Sequence, residues 1–177
     1  MGKRSAFERI ERDFYWTPEA AVLPLLPHLP FGTMFVEPCA GDGRLVKHLE
    51  KHGMSCLFAS DIEPRAEFVR RRDALDLWFR AEVPSADMCI TNPPWGRKVL
   101  HPMIDAFRVQ LPTWLLFDAD WAHTVQAARF MPYCRKIVSV GRVKWIEGST
   151  MTGKDNCAWY LFTAEAGACE FHGKVGA

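Results

Sequence analysis

No run in this chain is long and apolar enough for a membrane span or a secretory signal, and residues Met1 to Arg12 are polar and charged. No strong charge imbalance exists either: the formal net charge is +1, so a nucleic-acid partner would have to be met by local patches rather than a global field. The six cysteines (39, 56, 89, 134, 157 and 169) show no CxxC or Cys/His ligand spacing, and most lie in apolar segments where a reduced thiol behaves as a small hydrophobe. Zinc and a disulfide framework are thereby disfavoured, and the expected setting is a reducing cytoplasm without a membrane partner. The six histidines form no pair at metal-ligand spacing, so no metal is expected. Absence of a GxSxG elbow or a Cys/His pairing argues against hydrolases. Neither an internal repeat nor a low-complexity tract is present.

What the chain does contain is enough apolar sequence, 49% of 177 residues, for one sizeable core. A single domain over 1–177 is predicted, with an N-terminal segment 1–32, a core 33–163 and a tail 164–177, and no separate target-recognition domain. Short apolar runs alternate with longer mixed segments, the pattern of an α/β domain with a mostly parallel sheet and helices on both faces. Strands are predicted at 33–37, 55–60, 87–91 and 113–117. Helices are predicted from Thr17-Pro18-Glu19, where Thr17 offers a capping hydroxyl, and at 43–52, 64–72, 99–110 and 121–130. Segments 135–146 and 156–163, rich in Val, Ile, Trp, Tyr and Phe, read as an antiparallel hairpin closing the sheet. Their connection, 147–155, is small and polar, as a surface loop is.

The most informative motif is Asn92-Pro93-Pro94-Trp95, at the end of the apolar run Met88 to Thr91. Two prolines donate no backbone hydrogen bonds, so the strand stops abruptly and carbonyls stay free beside an amide and an indole. Such a turn can clamp a flat, amino-bearing ring, with acceptors for the NH2 group and an aromatic face for stacking. Taken alone it reads equally well as a strand-ending loop whose tryptophan packs.

The second motif, Glu37-Pro38-Cys39-Ala40-Gly41-Asp42-Gly43, leads from the first strand into a helix and brings bare backbone to the carboxyl edge of the sheet, where α/β domains bind small molecules. The third glycine of a dinucleotide fingerprint is missing, Val46 standing in its place, and the carboxylates Glu37 and Asp42 suit a cation better than a pyrophosphate. Asp61 ends the second strand, where a carboxylate accepts ribose hydroxyls. A nucleoside with a positive charge describes S-adenosylmethionine.

In these motifs, EPCAGDG at 37–43, DIEP at 61–64 and NPPW at 92–95, the chain resembles the class I S-adenosylmethionine-dependent methyltransferases, and within them the adenine-N6 enzymes, including small phage-encoded ones acting in the host cytoplasm. The resemblance runs from about Tyr15 to Phe162. It implies a Rossmann-like fold with a seven-stranded, mostly parallel sheet. It further implies that Glu37, Pro38, Ala40, Gly41 and Gly43 shape the pocket for the methionine part, that Asp61 holds the ribose and that Ile62 packs on the adenine. Asp73 would bind the exocyclic amine of the cofactor, with Asp76 as a competitor. Tyr15, Trp16, Thr17 and Pro18 resemble the family's segment that closes over the methionine end, and Asn92 borders the cofactor as well as the substrate.

An exocyclic adenine amine is a poor nucleophile, because its lone pair is delocalised into the ring. Acceptance of its two protons by the Asn92 side-chain oxygen and the Pro93 carbonyl draws it toward tetrahedral geometry, while Pro94 keeps the turn rigid and Trp95 fixes the plane of the base. Base stacking of this kind is worth on the order of 1 to 3 kcal/mol, comparable with the cost of flipping a base out of a duplex. Arg97 and Lys98, directly after the turn, and Lys154 on the 147–155 connection are the candidate phosphate contacts. Arg70-Arg71-Arg72 is read as the C-terminal end of a helix. The leading expectation is methylation of adenine N6 in DNA. Its rivals are methylation of RNA adenine or a protein glutamine amide, since the turn serves any planar NH2 group, and a non-catalytic cofactor-binding or nucleic-acid-binding subunit.

Overall fold

A computed structural model describes residues 16–145 and 152–174. Eight strands form one sheet: β1 (Met34–Glu37), β2 (Ser55–Asp61), β3 (Arg70–Arg71), β4 (Met88–Thr91), β5 (Thr113–Asp118), β6 (Cys134–Arg142), β7 (Asn156–Phe162) and β8 (Glu170–His172), in the order β3-β2-β1-β4-β5-β7-β6-β8. Only β7 is antiparallel, inserted between β5 and β6; every other pairing is parallel. The α/β, mostly parallel sheet and the hairpin thus match the expectation.

Side-chain alternation along the strands builds a core on each face. Phe35, Ile90, Trp114, Leu116 and Trp159 point to one face, where they meet Ala21 and Val22 of α1 (Glu19–Val22) and Leu45, Val46 and Leu49 of α2 (Arg44–Lys51). Val36, Cys89, Leu115, Phe117, Tyr160 and Phe162 point to the other. There they meet Phe79 of α3 (Phe79–Glu82) and Leu100, Met103, Ile104 and Phe107 of α4 (Arg97–Arg108). Two buried polar contacts anchor this packing. The Trp159 indole donates to the Ala21 carbonyl at 2.7 Å. Gln110 accepts from Phe79 N at 2.7 Å and donates to the Ala106 and Leu77 carbonyls, tying α3 and the loop before it to α4.

Several expectations need correction. Segment 64–72 is not a helix: its backbone donors are drawn to neighbours, Arg65 N to the Gly41 carbonyl at 2.9 Å and Arg72 N to the Asp61 carbonyl at 3.0 Å, and Arg70–Arg71 pairs as a short edge strand beside Ser60 and Asp61. The three arginines therefore end no helix of their own; Arg72 pairs with Glu82, the last residue of α3, at 3.2 Å and Arg70 lies over the Phe58 ring. Segment 121–130 is not one α-helix but 3-10 turns at 119–123 and 125–127, separated at Thr124 by extended backbone (ψ 150°). Eight strands replace the seven expected, because residues 170–172 of the tail add β8 in parallel to Lys136–Val138. Thr17 caps no helix; α1 begins after Pro18 without a side-chain cap.

Candidate active site

The carboxyl ends of β1, β2 and β4 open into one cleft of about 470 Å³. Its glycine loop is wound tightly between β1 and α2: Gly41 and Gly43 take positive φ of 53° and 76°, Ala40 N donates to the Ser60 carbonyl at 2.8 Å, and Gly43 N to the Ala40 carbonyl at 2.7 Å. Glycine is required at 43 on two counts, since the left-handed backbone strains other residues and a Cβ there would collide with the Phe68 ring. Pro38, Cys39, Ala40 and Gly41 line the cleft; Gly43, expected to shape it, is not in its lining.

Among the described residues, five carboxylates (Glu37, Asp42, Asp61, Glu63 and Asp73) but a single ammonium (Lys98) line the space. Glu37 is 1% exposed and its Oε2 has no hydrogen-bond partner among the described residues. Burial above all, then the nearby Asp61 and Asp42, push its carboxyl well above the usual carboxylate range. Burial likewise raises the Cys39 thiol, which is therefore no ready nucleophile. Asp61 accepts from Gly41 N and Glu63 N, both at 2.8 Å. Asp73 caps the 3-10 turn 74–76 by accepting from Leu75 N at 3.0 Å, which turns Ala74 and Leu75 into the cleft; Asp76 does not line it.

Asn92 and Pro94 line the same cleft. Pro93 is buried and outside its lining, as is the half-buried Trp95, which presents its indole N–H to Asn92 Oδ1 at 3.3 Å and meets the edge of Trp145, with ring centroids 5.7 Å apart. Asn92 Nδ2 donates to Thr17 Oγ1 at 3.1 Å. Trp16 and Thr17 line the cleft, Trp16 carrying the Arg44 guanidinium over its ring at 4.3 Å; Pro18 does not, and Tyr15 lies outside the described residues. Ile62 lines the cleft with half its surface exposed. Lys98 reaches it, whereas Arg97 and Lys154 are exposed beyond it. Leu75, Val99 and Met103 were not singled out in the sequence. Val99 and Met103 stand one helical turn apart on α4, a spacing that signals a shared face but not a ligand.

No protein-family model matches this chain, and no curated protein matches it by sequence. Solved structures do share its fold. The methyltransferase subunit of a type I restriction-modification system from Streptococcus thermophilus aligns with a TM-score of 0.56 at 10% identity, over 92% of this chain and 49% of that one. The 23S rRNA methyltransferase ErmE gives 0.53 at 14% identity, over 86% and 71%. A candidate class I S-adenosylmethionine-dependent methyltransferase from Listeria monocytogenes gives 0.53 at 11% identity, over 87% of this chain and 62% of that one. The chain spans less than two thirds of the Listeria protein and about half of the restriction-modification subunit. Strand order, the single antiparallel strand and these neighbours together establish that the chain has the Rossmann-like fold of the class I S-adenosylmethionine-dependent methyltransferases.

Proposed function

We propose that this chain methylates the exocyclic N6 amine of adenine in DNA, with S-adenosylmethionine as donor. One observation carries the reading: the amide of Asn92, an acceptor for an amine, and the carboxylate-rich glycine loop share one cleft. The residues present fit the donor. A buried carboxylate oxygen of Glu37 without a partner costs free energy until a hydrogen-bond donor or a cation reaches it, and five carboxylates against one lysine favour a positively charged ligand. Glu37, Ala40, Gly41 and Trp16, all lining the cleft, would hold the methionine part. Asp61 would take the ribose hydroxyls, Ile62 and Leu75 would flank the adenine, and Asp73 would meet its amine. When bound, S-adenosylmethionine supplies a sulfonium-activated methyl group, and transfer forms an N–C bond as a C–S bond breaks.

The chain's own contribution is orientation. Asn92 Oδ1 and the Pro93 carbonyl accept the two target amine protons, which localises the nitrogen lone pair toward the incoming methyl, and the surplus proton leaves to solvent. Trp95 fixes the base plane by stacking. Arg97 and Lys98, exposed at the start of α4, and the exposed Lys154 would meet the phosphates flanking a flipped base. The contact of Trp145 with Trp95 supports a role in target contact for Trp145; residues 147–151 of the connection that follows lie outside the described residues.

The test is incubation with methyl-labelled S-adenosylmethionine and unmethylated DNA, RNA or protein extract, followed by identification of the labelled product. Label in N6-methyladenine of DNA is expected. Asn92→Ala should lower transfer at least about a hundredfold while cofactor affinity is kept. Label confined to RNA or to protein glutamine, or full turnover by Asn92→Ala, rejects the proposal.

A further inference from the structure

The side-chain amide of Asn92 can face the cleft in two ways, related by a half-turn that exchanges its oxygen and nitrogen. Only one serves the reaction proposed above, because an amide NH2 cannot accept protons from a target amine. Its two neighbours decide the matter. The indole N–H of Trp95 is a donor with no acceptor capacity, and it sits 3.3 Å from one end of the amide; that end must be Oδ1, since the flipped amide would set two donors against each other. The other end, Nδ2, then falls on Thr17 Oγ1 at 3.1 Å, where a hydroxyl lone pair accepts it. Thr17 is 6% exposed and lies two residues before α1, which the Trp159-to-Ala21 hydrogen bond fastens to the sheet, so its hydroxyl is fixed. An amide oxygen has two lone pairs. Trp95 occupies one and leaves the second for the substrate.

We propose that Thr17 and Trp95 are positioning residues that lock the Asn92 amide with its oxygen toward the target amine, Trp95 selecting the orientation and Thr17 anchoring it. This assignment gives Thr17 a part other than cofactor contact, makes turnover depend on the docking of residues 16–18, and adds to Trp95 a polar duty separable from stacking. It rests on the reading of Asn92 as the amine acceptor.

The test uses three variants of the full chain on whichever polymer accepts label. Thr17→Val keeps the shape and removes the hydroxyl; kcat should fall about tenfold or more, equivalent to losing one oriented hydrogen bond, with the cofactor Kd within about twofold of the parent. Thr17→Ser should restore most of that turnover. Trp95→Phe keeps an aromatic face and removes the N–H; kcat should fall while KM for the polymer changes little, and this variant carries the test if Thr17→Val does not fold. The inference is overturned by a Thr17→Val protein that keeps kcat, by one that loses cofactor affinity instead, by failure of Thr17→Ser to rescue, or by full kcat in Trp95→Phe. Asn92→Ala separates the two levels. If that variant is inactive and Thr17→Val is fully active, only the lock is wrong; if Asn92→Ala is itself fully active, the reading of the site is wrong.

Discussion

The Asp61 carboxylate holds the backbone N–H of Gly41 at 2.8 Å, so the residue expected to grip a ribose also pins the glycine loop between β1 and α2. Its second oxygen accepts Glu63 N, also at 2.8 Å, which shapes the turn after β2. The remaining lone pairs are what a ribose can use.

Asp61→Ala should therefore lose more cofactor affinity than two hydroxyl contacts explain. The Gly41 amide, protected in the parent, should exchange faster with deuterium even without cofactor. Titration calorimetry and amide exchange measure the two effects; weakened binding with unchanged exchange at Gly41 would show that the loop does not depend on Asp61.

Glu37 predicts a pH dependence of cofactor binding. Burial raises its carboxyl well above the usual carboxylate range, so the folded protein holds a proton that the unfolded chain releases. The associated stability is complete below about 4.5 and is lost as pH rises through the folded value. A bound cation favours the carboxylate, so binding expels that proton and affinity should increase as pH rises above the usual carboxylate range toward the raised value of Glu37. Calorimetry in buffers of different ionisation enthalpy counts the proton. Glu37→Gln should bind more weakly and lose the Glu37-linked part of this slope.

Gln110 makes three hydrogen bonds from a site 4% exposed, to Phe79 N, Ala106 O and Leu77 O. Gln110→Leu leaves buried backbone groups unpaired and should lower unfolding free energy by about 2 to 4 kcal/mol. Denaturant unfolding measures this. Because these bonds hold the loop that carries Asp73, Ala74 and Leu75, cofactor affinity should fall too.

Gly43→Ala meets two obstacles, a φ of 76° and the Phe68 ring. Phe68 is 47% exposed, so its removal is tolerable. Gly43→Ala should cost more in the parent than in a Phe68→Ala background, and a residual penalty of about 1 to 2 kcal/mol from the left-handed backbone should persist in both. A double-mutant cycle of thermal unfolding reads the difference.

The elements legible in the sequence are those whose signals are local. Short apolar runs predicted β1, β2, β4 and β5, and helical apolar spacing predicted α4, because side-chain period is a property of contiguous residues; α2 was read from the glycine that opens it at 43. The Glu37 to Gly43 loop and the Asn92 to Trp95 turn were legible for the same reason: proline and glycine restrict the backbone wherever they stand.

What tertiary structure alone decided involves partners distant in the chain. Segment 64–72 has a composition a helix accepts, yet its amides bond to Gly41 and Asp61, so it became a turn and an edge strand. Strand β8 exists because β6 offers an open edge. Thr17 reads locally as a helix cap; only the fold brings it to Asn92, seventy-five residues away, and gives its hydroxyl an amide to hold. Capping and periodicity are written in neighbouring residues, whereas the orientation of the Asn92 amide depends on which donors and acceptors packing places on either side of it.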